Sequence, residues 1–288
     1  MVDALDQSVG VLLEALEEAH MLDDTVLVFS SDNGGDPYSR GRNFGLNWPL
    51  RGGKGTAWEG GIRAASFVWS SRLARRGAIA PQLMHIVDWL PTIYFLAGGN
   101  VASLGPLDGK NIWQTVSTGA PSVRFELLND LVFASGTAAL RYGNFKLVVG
   151  GYPEEESLRF KLPAGTLSCE DVDVLLRTSR TAAVLRRFYG DPNLFNASGW
   201  CKKRQMANVN CAVKSASSFD YDQQYYLFDL AQDPCEQRNL ASVNPTLLSF
   251  MLQRLKCYNK TAGPQPMTAQ DPRGFPENNS GIWAPWIF

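Results

Sequence analysis

One apolar run without polar alternation constrains the fold of this 288-residue chain more than any other feature. The run TVLVFS, residues 25–30, is typical of a strand buried on both faces of a parallel sheet. Asp32, Asn33 and two glycines follow it directly. These residues suit an ordinary tight turn, but loops at strand ends also form many α/β active sites. The run therefore predicts a sheet layer with a candidate site at its end.

The first 123 residues show the succession of predicted helices and strands that is typical of an α/β domain. Apolar residues recur at helical spacing over 2–20, and IRAASFVWS at 62–70 is a second predicted strand. A further helix opens at Asp88 and ends at the glycines 98–99. The prediction is an α/β domain over residues 1–123, part of a mainly parallel sheet with covering helices.

The pattern changes near residue 124. Short strands are predicted within 124–130, 137–142, 145–150 and 225–230, and a Gly143–Asn144 turn joins the middle two as a hairpin. Pro245 begins a predicted helix over 245–258. Residues 124–288 are therefore expected to form a smaller α+β domain with a short antiparallel sheet packed by that helix. The region 151–224 has no clear pattern.

Composition excludes two classes of partner. The chain has 27 Lys and Arg against 28 Asp and Glu, so it lacks the basic field of a typical nucleic-acid binder. It contains no apolar run long enough to span a bilayer, and its first residues do not form a signal peptide.

Sequons and cysteines nevertheless favour a lumenal or extracellular protein. N-x-[ST] sequons place candidate glycans at Asn196, Asn259 and Asn278. All five cysteines lie in the second half of the chain, and the disulfide candidates among them are Cys201, Cys211, Cys235 and Cys257. We expect Cys201 to pair with Cys211, and Cys235 to approach Cys257 or to have no partner.

The candidate site combines oxygen donors with a lysine. Asp32 and Asn33 offer adjacent oxygen ligands for a hard cation such as Ca²⁺ or Mg²⁺, and further ligands would have to come from elsewhere. Lys54 lies among five glycines in WPLRGGKGTAWEGGIR and could meet a sulfate or phosphate oxygen. The alternative is that Lys54 is only solvated and the glycines only turn the chain. Trp58 and Glu59 are expected to anchor this loop.

Several motifs in order carry a resemblance to a known family. SSDNGG, NWPLRGGK, WEGG, HIVDWLPTI and PLDGKNIW, followed by DPCEQRNLA and WAPW, resemble the sulfatase family, specifically arylsulfatases of the arylsulfatase B (N-acetylgalactosamine-4-sulfatase) type. The resemblance implies an alkaline-phosphatase-like α/β domain and a smaller C-terminal domain. It also implies that Asp32 and Asn33 are the last two protein ligands of the family's Ca²⁺ and that Lys54 binds sulfate.

The sequence departs from the family where the nucleophile should be. Family members use a formylglycine made from the cysteine of C-x-P-x-R, and none of the cysteines here begins that motif. Counterparts of the first metal-binding Asp pair, an earlier catalytic Lys and two catalytic His are also missing, and His20 and His85 are interpreted as structural.

The sequence is therefore expected to be the C-terminal half of a Ca²⁺-dependent sulfuric ester hydrolase, inactive on its own. Its full-length parent is expected to be lysosomal or secreted and to act on a sulfated carbohydrate or aryl sulfate. Two alternatives stay open: a catalytically dead sulfatase-like carbohydrate-binding protein, and a related metal-dependent phosphodiesterase.

Overall fold

The computed structural model describes residues 2–37, 45–132, 137–150, 168–195, 200–211, 219–262 and 271–285. The chain divides into two compact units, Met1–Leu252 and Gln253–Phe288. The domain boundary between residues 123 and 124 stays a prediction. Among the described residues, no helix is both long and apolar enough to cross a membrane.

The described α-helices and strands follow one another in a mixed order. The helices are α1 Val2–Glu18, α2 Glu59–Ile62, α3 Trp89–Leu96, α4 Trp113–Thr118, α5 Cys169–Thr178, α6 Arg180–Tyr189, α7 Trp200–Ala207 and α8 Pro245–Thr261. The strands are β1 Val26–Ser30, β2 Ser66–Ser70, β3 Glu126–Val132, β4 Thr137–Tyr142, β5 Phe145–Val149 and β6 Tyr225–Asp229.

The two strands expected in a parallel sheet pair antiparallel instead. Val26 lies opposite Ser70 and Ser30 opposite Ser66 in a two-stranded sheet. Parallel neighbours need a crossover connection, usually through a long helix. Among the described residues between β1 and β2, the one helix is α2, which has four residues, and the chain returns in the opposite direction. The α/β class holds, but the mainly parallel sheet is not found in the described residues.

The second sheet confirms the antiparallel prediction. Its strand order is β3-β4-β5-β6, and every neighbouring pair is antiparallel. Gly143, with φ of 57°, turns the predicted hairpin between β4 and β5. The three middle residues of β4, β5 and β6 are buried in each strand. This sheet therefore carries a large part of the core.

The predicted helix starts are also confirmed. Asp88 precedes α3, and Pro245 is the first residue of α8. In the first unit, Phe250 of α8 packs on Tyr142 with ring centroids 5.0 Å apart, and Met251 is fully buried.

The described part of the irregular region contains three helices that the sequence pattern did not predict. A capping box of Ser168 and Asp171 starts α5, while Ser179 caps the start of α6 and Gly190 its end. Helix α6 lies against α1, where Val184 joins the core residues Leu13 and Leu22. These caps were the available signal, because they mark helix ends even where the apolar pattern is weak.

The predicted disulfide pairing is wrong. Cys211 is bonded to Cys235, with their Cα atoms 6.0 Å apart, so Cys201 is not the partner of Cys211. Cys257 is free and exposed, and Cys169 is disulfide-bonded. Nearness along the sequence misled the prediction, because Cys201 lies inside α7 whereas the chain after α7 carries Cys211 to within 3.9 Å of the Pro49 carbonyl.

Candidate functional site

The Asp–Asn loop, residues 31–35, leaves the end of β1. Asp32 is exposed and Asn33 partly buried. The Ser31 amide donates to the Ala65 carbonyl at 2.9 Å, and its hydroxyl donates to the Asn33 carbonyl at 2.8 Å. The loop is thus held at its base by the residue that precedes β2, while the Asp32 carboxylate faces solvent.

The lysine loop, residues 51–61, is hydrogen-bonded along the Asp–Asn loop. The Lys54 amide donates to the Gly35 carbonyl at 2.9 Å, and the Gly34 amide donates to the Gly61 carbonyl at 2.8 Å. The Asn47 side chain accepts from the Gly35 amide at 2.7 Å and donates to the Gly52 carbonyl at 3.1 Å. The structure therefore brings all three predicted site residues onto two adjoining loops.

Glycine is required where the two loops meet. A Cβ on Gly34 would lie 1.7 Å from the Gly60 carbonyl oxygen, and one on Gly61 would lie 2.3 Å from the Thr56 carbonyl oxygen. Neither clash could be relieved by moving a flexible side chain, because both involve backbone atoms. The glycines thus allow close backbone packing and do more than turn the chain.

Arg51 and Trp58 anchor the lysine loop from below. Trp58 is fully buried, and its ring meets those of Tyr226 and Phe228 at centroid distances of 5.2 and 5.9 Å. The Arg51 guanidinium lies 3.7 Å from the Phe219 ring centroid, stacked as a cation on an aromatic face. Arg51 is therefore a buried structural residue, whereas Lys54 stays exposed and free to meet an anion.

A buried ionic group of Lys146, Glu59 and Glu236 lies under the same loop. The Lys146 ammonium is 2.9 Å from Glu59 Oε1 and 2.7 Å from Glu236 Oε1, and all three side chains are at most 5% exposed. Glu59 is the loop anchor predicted from the sequence, whereas Lys146 and Glu236 were not predicted. A lysine inside the apolar strand FKLVV was the available signal, since a buried lysine requires an anionic partner.

The carboxyl groups of the ionic group differ in their ionisation. Burial raises the pKa of Glu236 to about 7, and the charge of Glu59 adds to the rise while Lys146 opposes it. Burial also acts to raise the pKa of Glu59, but Lys146, Arg141 and Arg63 outweigh it and leave that pKa below its usual range. Of the two carboxyls, Glu236 therefore holds a proton to the higher pH.

Asp88, in HIVDWLPTI, forms a second buried polar centre and binds the backbone of the PLDGKNIW segment. Its carboxylate accepts from the His85 amide at 2.8 Å and the Lys110 amide at 2.7 Å, and it pairs with Arg124 through two bonds. His85 caps the turn before α3, as expected of a structural histidine. Its pKa is lowered by burial and by Arg124, against the pull of Asp88.

The donor set at the Asp–Asn loop fits part of a calcium site. Asp32 and Asn33 supply hard oxygen donors, the ligand type that Ca²⁺ takes, but the ion needs six to eight of them. Within the described ranges, no cluster of three or more His, Cys, Asp or Glu residues could hold a metal. These two residues could therefore supply one edge of such a site and not a complete one.

The sequons differ in what the structure says of them. Asn196 lies outside the described residues. In the second unit, Asn259 is exposed on α8, and Asn278 is exposed with its amide nitrogen donating to the Pro272 carbonyl at 2.7 Å. The glycosylation of all three stays a prediction.

Comparisons with known proteins agree on one family. A family model described as Sulfatase matches residues 1–99. Arylsulfatase J from Mus musculus is 32% identical over 294 residues, covering 99% of this chain and 43% of that relative. The chain therefore spans less than half the length of this curated relative.

Solved structures share the fold. The structure of Ps i-CgsB in complex with k-i-k-neocarrahexaose matches with a TM-score of 0.60 at 21% identity, covering 94% of this chain and 44% of that chain. A complex with the substrate D-glucosamine-2-N,6-O-disulfate matches with a TM-score of 0.51 at 16% identity, covering 93% and 41%. From these sequence matches, residues 1–99 match the sulfatase family, and over nearly its whole length the chain is similar to an arylsulfatase.

Proposed function

We propose that this chain supplies one edge of the active site of an arylsulfatase-type, alkaline-phosphatase-like enzyme and does not hydrolyse sulfate esters by itself. The hydrogen-bonded junction of the Asp–Asn loop and the lysine loop carries the proposal. It sets Lys54 beside two oxygen donors, whereas the sequence contains no C-x-P-x-R cysteine to become the nucleophile.

Each of the three residues has a role in binding the sulfuryl group. Asp32 and Asn33 would hold Ca²⁺, which when bound supplies positive charge to stabilise the negative charge on the sulfate ester. Lys54, exposed at the tip of its loop, donates hydrogen bonds to a sulfate oxygen as a compact point charge. The hydrogen bond from its backbone amide to the Gly35 carbonyl holds the Lys54 backbone next to the loop that carries the proposed metal ligands, within reach of a sulfate bound there.

The proposed substrate is a sulfated carbohydrate or an aryl sulfate. A solved structure of the same fold contains a disulfated glucosamine as its substrate, which supports the carbohydrate class. The proposed location of the full-length parent is lysosomal or secreted. The Cys211–Cys235 disulfide fits such an oxidising compartment, and the three sequons would then be glycosylated.

A second candidate is a catalytically dead carbohydrate-binding protein. The exposed Lys54 favours it, because a lysine without a nucleophile can still bind a sulfated sugar. The two candidates differ in one respect: only the enzyme gains turnover when the missing residues are supplied.

The test compares the 288-residue chain with a fusion that places the N-terminal region of arylsulfatase J before it, both made in a secretory host that forms formylglycine. We expect no hydrolysis of a chromogenic aryl sulfate by the chain alone in the presence of Ca²⁺, since losing a nucleophile removes most of the rate. The fusion should turn over, and Lys54→Ala in the fusion should lower kcat/KM.

Two results would count against the proposal. Turnover by the chain alone that Lys54→Ala abolishes would show a mechanism without formylglycine. A folded fusion that binds sulfated sugar without turnover would favour the dead binding protein.

A further inference from the structure

Glu236 holds both ends of the lysine loop. Its Oε2 accepts from the Glu59 amide at 2.8 Å, where α2 begins, and its backbone carbonyl accepts from Arg51 Nε at 3.0 Å. The Arg51 carbonyl in turn accepts from the Gly60 amide at 2.6 Å, which closes the loop on itself. Lys54 lies between these two attachments, so their geometry determines where the tip of the loop stands.

The backbone at Glu236 is held in an unusual conformation. Its φ is 56°, in the left-handed region that favours glycine, yet the position carries a fully buried carboxyl group. Such conformations persist where the surroundings fix them, and they cluster at functional sites. The preceding residue, Cys235, is bonded to Cys211, so the covalent framework fixes the chain at this point.

Lys146 compensates the charge that Glu236 and Glu59 bring into the interior. It lies on β5, whose neighbours β4 and β6 flank it in the sheet, and its ammonium contacts both carboxylates. The lysine loop is therefore attached, through Glu236 and Lys146, to the buried four-stranded sheet and not to another surface loop.

We propose that Glu236 is a positioning residue for Lys54, holding the lysine loop against the Asp–Asn loop so that the ammonium stands where sulfate binds. This inference rests on the proposed function, because it takes Lys54 to be the sulfate-binding group. Glu236 itself does not touch substrate, since it is fully buried beneath the loop.

A purely structural role for Glu236 predicts a different outcome. If a residue only adds to global stability, its substitution speeds amide exchange throughout the first unit, in proportion to the unfolding free energy that is lost. Changing a positioning residue speeds exchange in residues 52–61 by more than the loss of global stability explains. The conservative variant Glu236→Gln keeps one acceptor oxygen for the Glu59 amide, with its NH2 group then facing Lys146, and so restores the attachment of the loop.

The experiment measures amide hydrogen exchange by mass spectrometry on the 288-residue chain. Glu236→Ala removes the acceptor and leaves the Lys146–Glu59 pair balanced in charge. We expect exchange in residues 52–61 to become about tenfold faster, whereas Glu236→Gln should match the wild-type chain. Leu147→Ala is the matched control, because it removes a fully buried side chain next to Lys146 that points to the opposite face of β5.

Leu147→Ala should lower the melting temperature without selective exchange in the lysine loop. Unchanged exchange at 52–61 in Glu236→Ala, or an equal increase in Leu147→Ala at matched stability, would overturn the proposal. If Glu236→Ala does not fold, Glu236→Asp takes its place, since it keeps a carboxylate near Lys146 but shortens the side chain by one methylene and so withdraws the acceptor from the Glu59 amide. Faster exchange at 52–61 in that variant then supports the proposal, and unchanged exchange overturns it.

Sulfate binding separates this proposal from the proposed function. The ¹⁵N-lysine-labelled chain is titrated with sodium sulfate at constant ionic strength, and Lys54→Ala assigns the Lys54 signal. We expect a saturable shift of that signal, with affinity about tenfold weaker in Glu236→Ala and unchanged in Glu236→Gln. A wild-type chain that shows no shift overturns the sulfate role of Lys54. Equal affinity in the wild-type and Glu236→Ala chains overturns only the positioning role.

Discussion

Single buried residues add a pH dependence to the stability of this chain. The ionic group places two carboxyls against one ammonium, so it is balanced only while one carboxyl is protonated. The pKa of Glu236 in the folded chain is about 7, against an ordinary 4.5. The folded state therefore binds this proton more tightly than the unfolded state, and the stability contributed by Glu236 falls as the pH rises from 4.5 to 7.

The first prediction follows from that sign. Glu236→Gln should remove this slope, so the variant loses less stability than the wild-type chain between pH 4.5 and 7, by on the order of 2 kcal/mol. The measurement is urea unfolding at intervals across that range. His85, whose lowered pKa has the opposite effect as the pH falls below 6.5, is common to both chains and cancels in the difference. Parallel pH profiles for the two chains would contradict the prediction.

A second residue-level prediction concerns Asp88. Its side chain is fully buried and Arg124 is its charged partner, with only 9% of the arginine side chain exposed. Arg124→Met should cost about 3–5 kcal/mol of unfolding free energy, because it leaves a buried carboxylate without its counter-charge. Arg72→Ala breaks the exposed pair with Asp24 and should cost about 0–1 kcal/mol. Similar losses of unfolding free energy in the two variants would contradict the prediction that the buried Asp88–Arg124 pair matters more than the exposed pair.

Sequence identified the residues of the candidate site that lie in local motifs, and missed those that support them from afar. Asp32, Asn33 and Lys54 follow a strand or stand among glycines, so short stretches reveal them. Lys146 and Glu236 meet Glu59 only because β5 and the turn after β6 pack beneath the lysine loop. No local pattern records a contact between residues so far apart in the chain.

Turn and cap residues predicted where elements begin and end, whereas the apolar pattern of a strand did not predict the direction of its neighbours. Gly143, Asp88 and Pro245 act within a few residues of themselves, and each marks its turn or helix start as expected. An apolar strand indicates that both of its faces are buried, but it does not indicate whether the adjacent strands are parallel or antiparallel. The antiparallel pairing of β1 with β2 goes with the connection between them, whose described residues contain no long crossover helix.

The contact of α1 with α6 gives a prediction at the level of elements. Gly10 is buried in α1, and a Cβ there would lie 2.8 Å from the Arg180 Cβ. Gly10→Leu should therefore destabilise the chain by about 1–3 kcal/mol through overpacking, despite the better helix propensity of leucine. Ser8→Leu, on an exposed face of the same helix, should change stability by less than about 0.5 kcal/mol. Chemical unfolding of both variants checks this, and an equal or higher stability for Gly10→Leu would contradict it.

Across the first unit, burial is divided unequally between the two sheets. The central residues of β4, β5 and β6 are buried, whereas β1 is only partly buried and Phe67 of β2 is 46% exposed. Large apolar side chains are also exposed on α1 and α3: Leu5, Val11, Leu12, Leu90, Ile93 and Phe95. The sequence predicted TVLVFS, which contains β1, as a strand buried on both faces, because hydrophobicity alone does not reveal which faces of a strand are covered.

This division predicts two levels of local stability within the first unit. Segments with few buried contacts open at lower free energy than the core, and amide exchange reports that opening. Amides of β4, β5 and β6 should therefore exchange at least about 100-fold more slowly than those of β1 and β2, because breaking the four-stranded sheet exposes its fully buried residues Leu140, Leu147 and Leu227. Exchange of the 288-residue chain, followed from seconds to days by mass spectrometry, gives the ratio directly. Leu147→Ala should speed exchange in β4 to β6 while leaving β1 and β2 nearly unchanged. Equal protection of the two sheets, or an equal response of both to Leu147→Ala, would mean that they unfold as one cooperative element.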